Sequence, residues 1–298
     1  MIWKMHNHNY GSIRKNLLIA IILNSVIVVA QITGGFLSNS LALISDALHN
    51  LGDLFALVLS YTANYLSIKS GNNRMSFGFL RSEIIAAFIN SSLLILIGAY
   101  IVYEGIIRIN SPEPIAGGLM IIVAAIGFLA NAFSAYLLHK DSAHNLNVKS
   151  SYLHLFYDAI HSLVVVFVGV LIFFFNWVIL DSISSIVIGL FIVKSAWNVV
   201  SEATSILNEG VPKEINPEEV EKELRKVEGV KDIHHIHIWK LASNFIALSA
   251  HVVVDDRLVS EGYLIISRIE KVLIEKFGIN HPTIQLEAEI KNSVDLRI

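Results

Sequence analysis

The chain has 298 residues, of which 54% are hydrophobic and only 16% charged, against about a quarter charged in a soluble globular domain; its mean hydropathy is +0.61. The absence of cysteine excludes disulfide frameworks, thiolate metal sites and cysteine nucleophiles together, so any metal must be held by His, Asp or Glu. The net charge of −3 points to no particular partner.

Residues 1–16 read as a polar tail leading into an apolar stretch too long for the h-region of a signal peptide, so no cleaved signal is expected. His6 and His8 in this tail read as disordered decoration, with weak metal capture as the lesser alternative. Six apolar runs follow: Leu17–Leu37, Leu41–Leu66, Ile84–Ile107, Ile115–Leu138, Tyr152–Phe175 and Trp177–Val200. Each is near the roughly 20 residues that a hydrocarbon core requires, which gives a six-helix transmembrane domain over 17–207. The connections alternate in charge. Lys4, Arg14 and Lys15 precede the first run, Lys69, Arg74 and Arg81 lie between the second and third, and Lys140 and Lys149 between the fourth and fifth. The other connections carry almost no basic residue, apart from Arg108 beside Glu113. By the positive-inside rule both termini are expected in the cytoplasm.

Two of these runs carry the same polar pattern. His49 and Asp53 stand four residues apart in the second, and His154 and Asp158 repeat the spacing in the fifth. One helical turn puts each pair on a single face, so two such helices face to face offer two imidazoles and two carboxylates, the donor set of a tetrahedral zinc site. Ionisable groups at bilayer depth are costly and mark ion or substrate pathways. The repeated spacing therefore points to a divalent-metal transporter. Asp46, one turn before His49, reads as a vestibule carboxylate or as an acceptor that fixes the His49 tautomer. His161 and the amides Asn24, Asn90 and Asn131 read as groups that hydrogen-bond between helices.

After Val200 the character becomes that of a small soluble domain, taken as 208–298. Asn216 is a plausible N-cap, Pro217 suits the first helical position, and a helix over the charged stretch 218–228 is expected to stop at Gly229. Strand-like runs at Asp232–Leu241 and Phe245–Val254 flank a turn. An amphipathic helix, Leu258–Phe277, ends at Gly278, and His281–Ile290 alternates polar with apolar residues. The order αββαβ predicts a ferredoxin-like α+β layer with helices on one sheet face and the other face open. On the last strand His281, Thr283, Gln285 and Glu287 share a face. Strict alternation puts His235 and His237 together with Trp239 and sets His234 on the opposite side. Five histidines over three strands of a cysteine-free domain, with His251 among them, tip the reading toward metal.

At this point the chain resembles a known family. Ser40–Asp53 (SLALISDALHNLGD), Leu153–Asp158 (LHLFYD), His237–Trp239 (HIW), Ser249–Val253 (SAHVV) and His281–Glu287 (HPTIQLE) look like the defining segments of the cation diffusion facilitator family, and the resemblance runs from the first span to about residue 289. It implies six transmembrane helices, a cytoplasmic ferredoxin-like domain, a homodimer, and export of zinc or related ions from the cytosol in exchange for protons. It makes His49, Asp53, His154 and Asp158 the transport site and His234, His251, His281 and Glu287 the cytoplasmic ligands. The last set conflicts in part with strand parity, which favours His235 or His237 over His234 unless a bulge intervenes. Residues 67–74 contain no His, Asp or Glu, so the extra loop site of some members is not expected. The short connection with only His139 and His144 resembles compact bacterial exporters.

Two His and two Asp suit Zn2+, with Cd2+, Co2+ or Ni2+ as further cargo. The expected partners are a second copy, metal ions, protons and the lipid bilayer, and no nucleic acid. A metal-gated channel or sensor is the alternative from another class. An intramembrane metalloenzyme is disfavoured, because four protein ligands leave no open coordination position and no HExxH is present.

Overall fold

The computed structural model describes residues 10–67, 73–142, 146–242 and 244–288. Six long helices come first: α1 (Tyr10–Ser38), α2 (Leu41–Ser67), α3 (Ser82–Asn110), α4 (Gly117–Ser142), α5 (Leu146–Phe175) and α6 (Ile179–Leu207). Five of them, all but α2, contain stretches long and apolar enough to cross a membrane. The exception is the helix that holds Asp46, His49, Asn50 and Asp53. Its 27 residues span about 40 Å at 1.5 Å per residue, ample for a bilayer core. Large apolar side chains such as Val26, Phe36, Leu96, Tyr136, Phe167, Phe174 and Trp197 are exposed on the outside of the bundle, a surface suited to lipid and far more apolar than a soluble protein tolerates. The chain is a multi-pass membrane protein.

The helices run on past the apolar runs. α6 continues through Ser201, Glu202 and Thr204 to Leu207, because hydropathy marks the part of a helix in lipid and not its hydrogen-bonded end. Small residues let the backbones approach. A Cβ on Gly98 of α3 would lie 2.9 Å from the carbonyl oxygen of Gly189 on α6, and a Cβ on Gly189 would lie 3.0 Å from that of Gly98. Gly52 of α2 instead makes room for the Leu94 side chain of α3. α4 packs against α5 and α1. Leu43, Ile101, Met120, Val165, Ile172 and Ile192 form the apolar interior.

The turn between α1 and α2 is tightly held. Asn39 adopts a left-handed φ of +56°, its amide donates to Glu113 Oε2 at 2.8 Å, and its carbonyl accepts from Arg108 Nη1 at 3.0 Å. Ser40 Oγ then accepts from the Leu43 amide at 3.1 Å, capping α2.

The backbone resolves into two compact units, one of Met1–Leu59 and Ile89–Asn198, the other of Ser60–Phe88 and Val199–Ile298. Within the second lie α7 (Pro217–Leu224), β1 (Asp232–Ala242), β2 (Phe245–Val254), α8 (Val259–Phe277) and β3 (His281–Ala288). The sheet order is β1-β2-β3, with β1 antiparallel to β2 and β2 parallel to β3. Parallel pairing of β2 and β3 requires the α8 crossover. Asn216 caps α7 by accepting from the Glu218 amide. That helix ends at Leu224, earlier than expected, and the chain turns through 225–228 before Gly229 adopts φ +96°. α8 ends as expected at Gly278, left-handed at φ +65°. Val220 and Leu224 of α7 and Ile265, Ile269 and Leu273 of α8 cover Ile238, Leu248, Ala250, Val252 and Val254 of the sheet. That leaves the opposite face, with Ser249, His251, Thr283 and Gln285, outside the core.

Candidate metal centres

The i, i+4 spacing works as helix geometry demands. His49 and Asp53 project from α2 toward His154 and Asp158 of α5. His154 Nε2 lies 3.4 Å from Asp53 Oδ2 and 3.4 Å from Asp158 Oδ2. His49 Nε2 lies 3.7 Å from Asp53 Oδ2 and 3.9 Å from Asp158 Oδ1. Donor atoms bound at about 2.0–2.1 Å to one tetrahedral ion stand about 3.3–3.4 Å apart, so Asp53, His154 and Asp158, with donor atoms within 4.8 Å of one another, are spaced for a shared cation, and His49 must move closer to join them. Asp158 is 1% exposed, whereas His154 is 43% exposed, giving the cluster one closed and one open side. Among the described residues, Asp53 Oδ2 and both carboxylate oxygens of Asp158 are buried with no hydrogen-bond donor. Burying such charge without compensation costs several kcal/mol, and a cation among the four groups removes that cost.

His161, read from sequence as a helix-bonding group, joins this cluster. Its ring centroid is 5.8 Å from that of His49, and one donor atom from each of His49, Asp158 and His161 lies within 4.8 Å of the others. Its Nδ1 is buried without a partner among the described residues. Asp46 does not orient His49. It accepts from Gln31 Nε2 of α1 at 2.6 Å and from Ser162 Oγ of α5 at 2.9 Å. Gln31 Oε1 in turn accepts from Asn50 Nδ2 at 3.0 Å. Asn131 is fully buried, but neither amide atom has a hydrogen-bond partner among the described residues, so the expected interhelical bond is not made there.

Asp181, at the start of α6, was not legible as a site residue. It accepts from Ser40 Oγ at 2.6 Å and from the Leu41 and Ala42 amides at 2.8 and 3.2 Å. A carboxylate on the N-terminus of α2 meets unpaired amides and the positive end of the helix dipole. It therefore helps fix the depth of the helix that presents His49 and Asp53.

In the C-terminal domain a bulge resolves the parity conflict. His234 pairs with His251 and His237 with Ser249, so three residues of β1 oppose two of β2, and His235 takes φ +50°. The extra residue shifts the alternation, placing both His234 and His237 on the open face. His251 Nδ1 is 2.6 Å from Glu287 Oε1 and His234 Nε2 is 3.3 Å from Glu287 Oε2. Donor atoms of His234, His235 and His251 lie within 4.8 Å of one another. The structure thus brings His234, His235, His251 and Glu287 together. His237 stands apart and exposed. His281 also stands apart at the far end of β3, paired with Ala247, with its ring 5.6 Å from Phe77 and 5.5 Å from Phe245. The His139 ring lies 5.3 Å from that of Tyr152, tilted against it. His6, His8, His144, residues 68–72 of the second connection and Ile290 lie outside the described residues.

Comparison with known proteins agrees with this architecture. The cation efflux transmembrane domain matches residues 17–208, and the cytoplasmic domain of cation efflux proteins matches residues 212–289. A cadmium, cobalt and zinc/H(+)-K(+) antiporter of Bacillus subtilis is 40% identical over 290 residues, 96% of this chain and 93% of that one. The metal cation efflux system protein CzcD of Cupriavidus metallidurans is 35% identical over 283 residues, covering 95% and 89%. The zinc transporter ZitB of Escherichia coli is 33% identical over 291 residues, covering 95% and 92%. A solved metal-bound C-terminal domain of a CzcD transporter, with 38% identity and a TM-score of 0.23, covers 24% of this chain and 99% of that one. With both domains matched along nearly its whole length, the chain belongs to the cation efflux family of metal transporters, the cation diffusion facilitators.

Proposed function

We propose that the protein exports Zn2+ from the cytosol in exchange for protons, through a site formed by His49, Asp53, His154 and Asp158. The observation that carries this reading is the spacing of the donor groups, 3.4 to 3.9 Å within and between the two helices, around carboxylate oxygens that have no donor among the described residues. Zinc binds neutral imidazole and ionised carboxylate, so protons and metal compete for the same lone pairs. Imidazole, with a reference pKa near 6.5, makes that exchange at physiological pH. Zinc loads from the cytosolic side; protons arriving from the opposite side displace it there, as the helices alternate access to a fixed site.

The same donor set admits cadmium and cobalt, the ions named for the Bacillus subtilis relative, and nickel by the same chemistry. With the basic connections on the cytosolic side, both termini and the 208–298 domain are cytoplasmic. That domain binds a second metal through His234, His251 and Glu287, with His235 at hand, and joins two copies into a homodimer. His281, too far along β3 to share that ion in one subunit, is free to serve between subunits. Purified protein in sealed vesicles, with internal zinc and pH followed together, tests the reading. Zinc uptake should be accompanied by counterflow of protons and accelerated by an opposing pH gradient. Zinc movement that ignores the gradient and follows only the electrical potential would identify a channel instead.

A further inference from the structure

Among the buried carboxylates that the metal site leaves unused, Asp46 stands nearest to it along α2. It is 1% exposed, and the network around it is neutral: Gln31 and Ser162 donate to Oδ2, while Oδ1 has no partner among the described residues. Asn50 Oδ1, one turn along α2, is a second buried acceptor with no donor among the described residues. A buried carboxylate oxygen with no donor among the described residues calls for a proton or a cation. We propose that Asp46 is a proton-carrying residue of the transport cycle, protonated on Oδ1 when the zinc site is empty and ionised when zinc is bound. The inference rests on the exchange reading above and deepens it.

The titratable groups facing Asp46 are His49 on its own helix and Asp158 on α5. His161 stands next to Ser162 on α5, and α1 contributes the neutral Gln31. Around an empty site Asp46 Oδ1 has no donor among the described residues, so a proton is what satisfies it. A divalent ion at His49, three residues away along the same helix, reverses the local field and expels that proton. Zinc and proton are then antagonistic ligands of one neighbourhood, each weakening the other by the same factor. The step balances without a co-reactant. The Oδ1–H bond breaks as zinc enters and its proton leaves toward the cytosol, and a proton from the opposite side reforms the bond as zinc departs. Oδ2 stays anchored by Gln31 and Ser162 throughout, so the helix need not shift to accommodate the change of charge.

The test uses full-length protein and zinc. Protons displaced per zinc bound are counted by calorimetry in buffers of different ionisation heat. Asp46→Asn keeps an oxygen for Gln31 and Ser162 but cannot exchange a proton. Its count should fall by about one per zinc, with zinc still bound. Its zinc flux in vesicles should also lose most of its stimulation by an opposing pH gradient. Ser162→Ala removes a donor to the ionised carboxylate, favours the protonated form, and should shift half-maximal zinc binding to higher pH; it carries the test if Asp46→Asn does not fold. An unchanged proton count in folded Asp46→Asn, or an unmoved pH profile in Ser162→Ala, overturns the role of Asp46. Wild-type protein that binds and moves zinc without displacing protons overturns the exchange reading itself.

Discussion

The intramembrane cluster and the histidine cluster of the C-terminal domain use the same donor types, yet their carboxylates live in opposite conditions. Asp158 is 1% exposed and, among the described residues, no group donates to either of its oxygens. Glu287 is 26% exposed and lies within hydrogen-bond distance of His251 and Gln285. The first site, when ionised, carries a desolvated charge that costs several kcal/mol until a proton or a metal ion offsets it. The second is stable as it stands, because water and neighbouring side chains already compensate its charge. Cargo must bind and leave, so a transport site gains from being incomplete, whereas a regulatory or structural site does not need to be.

The sharpest way to break this contrast is to remove the buried carboxylate. Asp158→Ala should lower zinc transport in vesicles by more than about a hundredfold, since even indirect supports of a metal ligand cost 10- to 100-fold. Near-normal flux from a well-folded, inserted variant would sink the assignment of α2 and α5 as the transport pair. A change of donor type should give a smaller effect of a different kind. His49→Asp trades nitrogen for oxygen and moves the site toward harder ions, so the manganese-to-zinc flux ratio should rise about tenfold. An unaltered metal profile would mean that His49 is not a ligand.

The second site should respond more mildly. His251→Ala removes one imidazole but leaves His234, His235 and Glu287 in reach of one another. Zinc affinity of the C-terminal domain, read by calorimetry, should fall by about tenfold or more, while vesicle flux changes by only a few-fold. Flux lost as completely as in Asp158→Ala would show that the two clusters do not differ in the way proposed.

Much of this arrangement was legible in the sequence because it is local. The His49/Asp53 and His154/Asp158 pairs follow from helix period alone, and the αββαβ order of 208–298 follows from caps, turns and alternation. What escaped depends on contacts between distant segments. Gln31 and Ser162 carry no spacing that links them to Asp46, 15 and 116 residues away, and Asp181 reaches across 141 residues to Ser40. The β1 register was hidden for another reason. A bulge is a choice between two pairings of the same residues, and His234 reaches the open face only because His235 accepts a left-handed backbone.

A third carboxylate extends the comparison to its mild end. Glu223 of α7 is half-buried beneath Lys226 and, from α8, Lys276, and both lysines donate to it. These hydrogen bonds hold its pKa down at about 2, against an ordinary 4.5. The group is ionised and paired where Asp158 is buried and unpaired, so here the protein itself supplies the cation. Because the folded value lies below the unfolded one, the pair's stabilisation is fully present above about pH 4.5 and is lost as pH falls toward 2. Glu223→Gln should therefore slightly lower the urea midpoint of the C-terminal domain at neutral pH. The gap from wild type should narrow on acidification below pH 4.5, and added salt should shrink it further, as screening does for pairs near the surface. A gap independent of both pH and salt would assign the effect to packing between α7 and α8 and remove charge compensation from this end of the comparison.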